Sequence, residues 1–436
     1  MNHEPKTPNR IRLLVIGPTP PPYHGVATFI ADLLSAREPR FAIRHLDTSD
    51  RRGSDNMGRW DARNLALGFS NLAQLAAACR ETDVVYVPIS QNVAAFLRDA
   101  LFIVQARAWG CRVVVHLHGG HFRKLYDSES GPVFRLVARL ALKAASAVLV
   151  LGEEFVPIFS GLVRPERIHV VPNGVPDCGA WALREDECTL LAEPLAPVKW
   201  DAGGGDLGRA DAETGLRRDE AATAAQAGGR GETATGAEGT AGDAVPKHGG
   251  TILFMSTLTR TKGIFELIQA VRLLRPHRPL IRLLIAGQWA DADLRQEAEE
   301  YIKREELEDS LSFCGVVNGE AKASFLARGH VFCLPTRYPY EGQPLVLLEA
   351  MASGLPIVAT QHAAIPSTVT DGVVGRLVPK DCQPQQLANV LDELLSNPTQ
   401  LQRYSAAARE RYLEHYTLSA CHERLFRAIM GAVSQT

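Results

Sequence analysis

Two glutamates, Glu341 and Glu349, stand eight positions apart in the segment EGQPLVLLE, which continues as AMASGLP. Gly342 and Pro344 between them predict a loop that leads into a helix, and this places the second carboxylate in the opening turns of that helix. Backbone N–H groups at a helix N-terminus bind anions, and a carboxylate nearby can accept hydrogen bonds from ribose hydroxyls. The spacing therefore predicts a pocket for a nucleoside diphosphate that carries a further group.

A loop earlier in the chain supplies cations for such a pocket. Lys262 follows an apolar run at Ile252–Met255 and precedes Gly263 and a helical pattern. A lysine at this place can neutralise a departing pyrophosphate, although a solvated lysine at the start of a helix is the structural alternative. Arg260 in the same loop is a second candidate cation.

Three histidines, His116, His118 and His121, cluster at the end of the run VVVHLHGGH. The period of two in a strand puts His116 and His118 on the same side. No cysteine or carboxylate in this segment completes a zinc site, so we predict packed or hydrogen-bonded histidines instead. The pair Asp291 and Asp293 superficially resembles a metal-binding Asp-x-Asp, but its place before a helical pattern predicts capping. We expect no essential metal.

The composition is that of a soluble globular enzyme of two ordinary domains: 436 residues, 46% hydrophobic and 22% charged. A net charge of −2 argues against general nucleic-acid binding. The eight cysteines are scattered, which favours a reduced compartment. The polar start of the chain shows no signal peptide, and no apolar run reaches the ~20 residues that span a bilayer.

Alternating apolar runs and helical patterns predict two parallel α/β sheets, one in each half of the chain. We predict these strands in order: Arg12–Ile16, Val84–Val87, Val113–Leu117, Ala147–Leu151, His169–Val171, Ile252–Met255, Leu283–Ala286, Leu311–Cys314, Val331–Leu334, Ile357–Ala359 and Arg376–Val378. Residues 1–177 and 251–416 form the two predicted domains. Residues 178–250 are predicted to be a low-complexity linker, disordered around 201–244, where small and polar residues dominate.

The sequence resembles retaining glycosyltransferases of family 4. The two glutamates with Ala-Met-Ala-x-Gly-x-Pro carry the resemblance, together with the segments Asn173–Val175, Lys262–Gly263, Ile281–Gly287 and Leu311–Gly315. The resemblance implies two Rossmann-like domains that face a central cleft (GT-B type), with the helix at 417–436 crossing back onto the first domain. One departure is Ser256-Thr257, where related enzymes have Gly-Arg, so Arg260 is predicted to replace that cation.

The resemblance also implies roles for individual residues. Glu341 and His118 would lie beside the transferred sugar, and Glu349 would hold the donor ribose. The remaining predicted donor contacts are Gly25, Arg260, Lys262, Gly342, Gln343, Pro344 and Leu345.

The resemblance implies a metal-independent hexosyltransferase that needs no cofactor. Its substrates would be a UDP- or GDP-linked sugar and a glycan acceptor, preferably lipid-linked, in bacterial surface polysaccharide synthesis. A nucleotide-sugar 2-epimerase and an inactive nucleotide-sugar-binding scaffold are the alternatives. We expect a cytoplasmic location.

A peripheral position on the inner membrane face is a further expectation. It rests on a basic stripe of Arg135, Arg139 and Lys143 on a predicted helix, whose other face carries Phe134, Val137, Leu140 and Ala141. A solvated helix face is the alternative.

Overall fold

The computed structural model of the chain describes residues 10–21, 25–49, 62–179 and 249–434. It contains two six-stranded sheets in which every strand pairs parallel with its neighbour. The predicted α/β fold class with two Rossmann-like domains is confirmed. The segment predicted to be disordered, around 201–244, lies outside the described residues.

The first domain carries the sheet with strand order β2-β1-β3-β4-β5-β6. Its strands are β1 (Ile11–Gly17), β2 (Phe41–Asp47), β3 (Val84–Ile89), β4 (Arg112–Leu117), β5 (Ala147–Val150) and β6 (Ile168–Val170). The interior strands read as continuous apolar runs because helices cover both faces of the sheet. The sequence prediction missed β2, an edge strand in which Arg44 and His45 interrupt the apolar pattern.

Helices cover this sheet on both faces. They are α1 (Gly25–Ser35), α2 (Ala62–Cys79), α3 (Val93–Ala108), the short α4 (Phe122–Lys124) and α5 (Pro132–Ala144). One face packs against α2, α3 and α5, through side chains such as Leu75, Phe102 and Phe134. The opposite face packs against α1, through side chains that include Phe29 and Ile30.

The second domain has strand order β12-β11-β10-β7-β8-β9. Its strands are β7 (Gly249–Met255), β8 (Leu280–Ala286), β9 (Leu311–Phe313), β10 (Val331–Leu334), β11 (Ile357–Thr360) and β12 (Gly375–Val378). Its helices are α6 (Ile264–Leu274), α7 (Ala292–Arg304), α8 (Gly319–Ala327), α9 (Leu345–Ala352), α10 (Ile365–Thr368), α11 (Pro384–Leu395) and α12 (Pro398–His415). The strand order reverses between β7 and β10, and open α/β sheets bind ligands at the carboxyl ends of the strands at such a point.

The last helix, α13 (Leu418–Ser434), returns to the first domain. Its buried residues Leu425, Phe426 and Ile429 pack with Leu13 and Phe41 in the core on the α1 side of the first sheet. The chain therefore crosses between the domains twice.

Within the four described ranges, no helix combines the length and the apolar character needed to cross a bilayer.

Candidate active site in the cleft between the two sheets

A lysine and a glutamate form an ion pair at the point where the second sheet reverses its order. Lys262 Nζ lies 2.6 Å from Glu341 Oε2, and the same oxygen accepts a 2.9 Å hydrogen bond from Thr336 Oγ1. Lys262 follows β7, whereas Thr336 and Glu341 follow β10. The pair is largely buried, with 16% of the lysine side chain and 8% of the glutamate side chain exposed. Two residues of the predicted site are thus in direct contact.

Gly263 explains why Lys262 points to this place. It ends a short 3₁₀ turn at Arg260–Lys262 with a left-handed φ of 80° and also begins α6. A Cβ at this position would lie 2.2 Å from the carbonyl oxygen of Pro335. Only glycine can adopt this backbone angle and also approach the Pro335 carbonyl so closely. The glycine therefore allows the loop after β7 to lie directly against the loop after β10.

The second glutamate, Glu349, lies within α9 and also has a lysine partner. Lys322 Nζ on α8 is 2.8 Å from Glu349 Oε1, and both side chains are mostly buried. A carboxylate offers about four lone-pair positions, so this contact leaves capacity for further donors such as ribose hydroxyls. The sequence prediction did not include Lys322.

On the first domain, His118 belongs to a hydrogen-bonded group at the end of β4. The hydroxyl of Tyr86 lies 2.8 Å from His116 Nδ1 and 3.2 Å from His118 Nε2. The two imidazole centroids are 4.0 Å apart, and Phe29 packs against both rings. The prediction that His116 and His118 share one side of the strand is confirmed.

Burial determines the charge state of this group. Tyr86 and His116 are fully buried. Desolvation, together with the neighbouring His118, holds the pKa of His116 well below its usual range. Desolvation also raises the pKa of Tyr86. His116 and the phenol are therefore neutral, and His118 is the member of the group that is partly exposed.

Close backbone contacts join His118 to the loop that carries Glu341. The Gly120 N–H donates to the Glu341 carbonyl oxygen at 2.9 Å. A Cβ at Gly342 would lie 2.2 Å from the His118 carbonyl oxygen, and one at Gly119 would lie 2.8 Å from the Tyr340 carbonyl oxygen. These glycines let the two domains meet beside both predicted catalytic residues.

The predicted donor contacts Gln343, Pro344 and Leu345 lie at the start of α9. Pro344 precedes the helix and Leu345 is its first residue. The side chain of Gln343 is directed at the domain junction instead: Oε1 accepts from the Asn173 N–H at 2.7 Å, and Nε2 donates to Thr368 Oγ1 at 2.9 Å. The Gln343 side chain therefore connects the domains, and a donor contact from this residue stays a prediction.

Arg260 and Gly25 lie apart from the ion pair. The guanidinium of Arg260 bonds to Glu297 on α7 and lies 4.7 Å from the centroid of Phe265. Its predicted role as the second cation would require it to leave Glu297. Gly25 is the exposed first residue of α1, and a Cβ there would meet no atom within 4 Å. Residues 22–24 lie outside the described residues, so the donor contact at Gly25 stays a prediction.

The third histidine, His121, has a partner that sequence reasoning missed. His121 Nε2 lies 2.7 Å from Glu129 Oε2, and its ring packs 4.3 Å from that of Tyr340. The bonds from His121 and then from Lys124 lower the pKa of Glu129. His121 thus joins the first domain to the loop before Glu341.

The residues expected not to bind metal have structural roles. Asp291 caps α7, because its Oδ1 accepts from the Leu294 N–H at 2.7 Å. In the part of the chain that the structure describes, no three His, Cys, Asp or Glu side chains are grouped to hold a metal ion. Independence from metal remains a prediction.

The arrangement places a cation and a carboxylate in contact at the carboxyl ends of β7 and β10. Lys262 and the start of α9 can stabilise an anionic diphosphate, since an ammonium has three donors and can bond to Glu341 and to a phosphate oxygen together. Glu341 can accept from sugar hydroxyls and stabilise positive charge that develops beside it. The sequence carried no signal for Lys322 or for Gln91, which accepts from the His121 N–H at 2.6 Å, because their partners lie 27 and 30 positions away. Thr336 was also missed, although its partner Glu341 is only five positions away. Tyr86 had a signal, because it is the one hydroxyl in the apolar run of β3.

Two family comparisons match these two domains. Residues 10–174 match the Glycosyl transferase 4-like domain, and residues 242–411 match Glycosyl transferases group 1. Among solved structures, an Anabaena protein, HepE, in complex with UDP has a TM-score of 0.64 at 16% identity over 97% of this chain and 100% of that chain. A glycosyltransferase from Rickettsia africae has a TM-score of 0.65 at 15% identity over 98% and 100% of the two chains. These likenesses show the fold.

Similar sequences add relatives of known activity. The phosphatidyl-myo-inositol mannosyltransferase of Mycolicibacterium smegmatis is 32% identical over 193 residues, 44% of this chain and 48% of the relative. The amylovoran biosynthesis glycosyltransferase AmsK of Erwinia amylovora is 29% identical over 178 residues, 40% of this chain and 43% of the relative. The chain spans about half the length of the curated relatives it matches. By its two matched domains, which together span most of its length, the chain belongs to the glycosyltransferases.

Proposed function

We propose that this chain is a retaining, metal-independent hexosyltransferase of family 4 that uses a UDP- or GDP-linked sugar. The acceptor would be a glycan on a lipid carrier, in bacterial surface polysaccharide synthesis. The observation that carries the proposal is the Lys262–Glu341 ion pair at the carboxyl ends of β7 and β10, joined by backbone contacts to His118. The relative named as an amylovoran biosynthesis glycosyltransferase supports the pathway class.

In the proposed mechanism, the bond between the sugar and the diphosphate breaks while the acceptor oxygen bonds to the sugar, and the acceptor's hydroxyl proton passes to the departing phosphate oxygen. Negative charge grows on the departing diphosphate, and Lys262 and the start of α9 stabilise it. The sugar acquires oxocarbenium character, and the carboxylate of Glu341 stabilises this positive charge. His118, held by Tyr86, orients a sugar hydroxyl, and Glu349 accepts hydrogen bonds from the ribose.

The test begins with calorimetric titration of the purified chain with UDP, GDP and ADP, with and without chelator. Glu349→Ala should weaken binding of the preferred nucleotide by about 1–3 kcal/mol, because the ribose loses its paired acceptor. Glu341→Ala should bind the bare nucleotide normally and lose turnover of the nucleotide sugar. The matched control is Glu393→Ala, which removes an exposed glutamate paired with Arg376 in the same domain.

Unchanged nucleotide affinity in Glu349→Ala, or lost affinity in Glu341→Ala, would overturn the assigned roles. The reaction products separate the alternatives. A transferase releases free nucleotide only with an acceptor, an epimerase converts its nucleotide sugar without one, and a scaffold binds without turnover.

A further inference from the structure

Exposed apolar side chains concentrate on one layer of the first domain. Among the described residues, eight of the thirteen large hydrophobic side chains that are exposed lie on α2, α3, α5 or the residue that ends α3. They are Phe69, Val93, Leu101, Val104, Trp109, Val133, Leu136 and Leu140. A contiguous exposed apolar surface on a soluble protein marks an interaction site, whereas scattered single residues do not.

The spacing of these side chains makes them one surface. Leu101, Val104 and the exposed Ala108 of α3 stand at positions i, i+3 and i+7, and Val133, Leu136 and Leu140 of α5 repeat that spacing. Residues so spaced share one side of a helix. Because α3 and α5 pack side by side on the sheet, the two rows form one outward surface, here termed the apolar face.

This geometry corrects the prediction for α5. Leu140 was placed on the face opposite the basic stripe, but its side chain is 55% exposed, whereas Phe134 and Ala141 are buried. Arg135 donates to the carbonyl oxygens of Tyr126, Asp127 and Ser130. Arg139 donates to the Tyr126 hydroxyl. These two arginines anchor α5 to the preceding segment, and the outward side of the helix is mainly aliphatic.

The exposed charges on the helices of the apolar face have one sign. The sequences of α2, α3 and α5 contain a single acidic residue, Asp99, which is buried and paired with Arg98. The basic residues of α3 and α5 are Arg98, Arg107, Arg135, Arg139 and Lys143. An apolar surface whose own helices carry exposed cations and no exposed carboxylate is complementary to an anionic bilayer, although the neighbouring segment adds the exposed carboxylates of Asp127 and Glu129, which pair with Arg123 and Lys124.

The layer also begins beside the candidate active site. Gln91, two residues before α3, accepts a 2.6 Å hydrogen bond through its side-chain Oε1 from the His121 N–H. Both helices follow strands whose carboxyl ends point to the cleft, so Val93 and Val133 lie at the end of the layer nearest to it. An acceptor held in a membrane under the apolar face would therefore approach the cleft from this end of the layer.

We propose that the apolar face docks on the surface of an anionic phospholipid bilayer, with Val133, Leu136 and Leu140 of α5 inserted below the headgroups. The placement of a lipid-linked acceptor at the cleft rests on the proposed function. Vesicle binding does not, because it requires neither donor nor acceptor.

The test is sedimentation of the full chain with vesicles of phosphatidylcholine alone or with about 30% phosphatidylglycerol. Wild type should bind the anionic vesicles, and added salt should weaken binding. The double variant L136S/L140S should reduce the partition coefficient at least tenfold, and K143E should reduce it several-fold. The matched control is L280S/L413S, whose leucines are 64% and 52% exposed on the second half of the chain. This control should bind as wild type does.

Four results would overturn the proposal. They are no binding by wild type, equal binding to neutral and anionic vesicles, an equal loss in L280S/L413S, and a dimer that L136S/L140S converts to monomer without any vesicle binding. The last result would identify the apolar face as a contact between copies of the chain. L136S/L140S should bind nucleotide with the same affinity as wild type. Nucleotide titration therefore tests the proposed function, whereas vesicle sedimentation tests docking, and the two can fail separately.

Discussion

At the scale of single residues, Tyr86 holds two histidines through one hydroxyl. That hydroxyl has one proton, so it can donate to one imidazole and accept from the other. His116 is buried and neutral, and this arrangement restricts the tautomer and the ring orientation of His118. Tyr86 is therefore a positioning residue for the histidine that the proposed mechanism places beside the sugar.

Tyr86→Phe should lower kcat of the proposed transfer several-fold and leave the affinity for bare nucleotide unchanged. The physical reason is that His118 loses the bond that orients it, while the proposed nucleotide contacts of Lys262 and Glu349 lie on the other domain. We also expect a loss of about 1–3 kcal/mol of stability, because His116 Nδ1 remains buried without its partner. Steady-state kinetics, nucleotide titration and urea unfolding measure the three effects.

The control is Tyr404→Phe, since Tyr404 is also buried and its hydroxyl accepts a 2.9 Å bond from Gln400 on α12. It should lose stability without any change in kcat. Equal kinetic effects of the two variants would mean that Tyr86 acts only through stability.

At the scale of elements, the contact between the end of β4 and the loop before α9 depends on glycine. The backbone of His118 and that of Gly342 approach so closely that no Cβ fits between them. Gly120 adds the hydrogen bond to Glu341. The relative position of the two predicted catalytic residues is therefore set by backbone contact rather than by a side-chain bond.

Gly342→Ala should separate the two elements, because its Cβ would lie 2.2 Å from the His118 carbonyl oxygen. We expect a loss of about 1–3 kcal/mol of stability and a larger proportional loss of kcat than of nucleotide affinity. Unfolding curves and kinetics measure these effects. Gly431→Ala on α13, where a Cβ would meet no atom within 4 Å, should change neither quantity. A fully active Gly342→Ala protein would contradict the contact.

At the scale of the whole molecule, buried and half-buried histidines make stability depend on pH. Burial lowers the pKa of His116 on β4, His169 on β6 and His422 on α13, all of which belong to the first sheet or the helix that crosses back to it. A histidine with a lowered pKa in the folded state binds its proton preferentially in the unfolded state. Its stabilising contribution is therefore complete above the unfolded pKa near 6.5 and is lost as the pH falls.

The free energy of unfolding should consequently fall between pH 7 and pH 5, a window above the ordinary carboxylate range. Each such histidine contributes a slope of at most about 1.4 kcal/mol per pH unit. His116→Gln should flatten the slope but not remove it, because His169 and His422 still titrate. Urea unfolding at several pH values measures the slope. An unchanged slope in His116→Gln would show that His116 is not the source.

Local sequence patterns predicted most of the elements, and the family resemblance implied most residues of the candidate site. The strand at Val331–Leu334 has the predicted bounds, because a buried strand forms an apolar run that is visible within a few residues. The edge strand β2 was missed because one edge of the strand and much of its side-chain surface face solvent, so its spacing is weak. The outward direction of Leu140 was also missed, since it depends on how Arg135 and Arg139 bond to the preceding segment.

The sequence by itself determined the parallel α/β fold, the two carboxylates eight positions apart and the cationic loop, since each depends on residues close together in the chain. Only the tertiary structure decided that Lys262 pairs with Glu341 across 79 positions and that Tyr86 joins two histidines across 30 and 32. It also decided that the apolar rows of α3 and α5 form one face. Such pairings follow from strand order and from close backbone packing, and neither leaves a periodic signal in the chain.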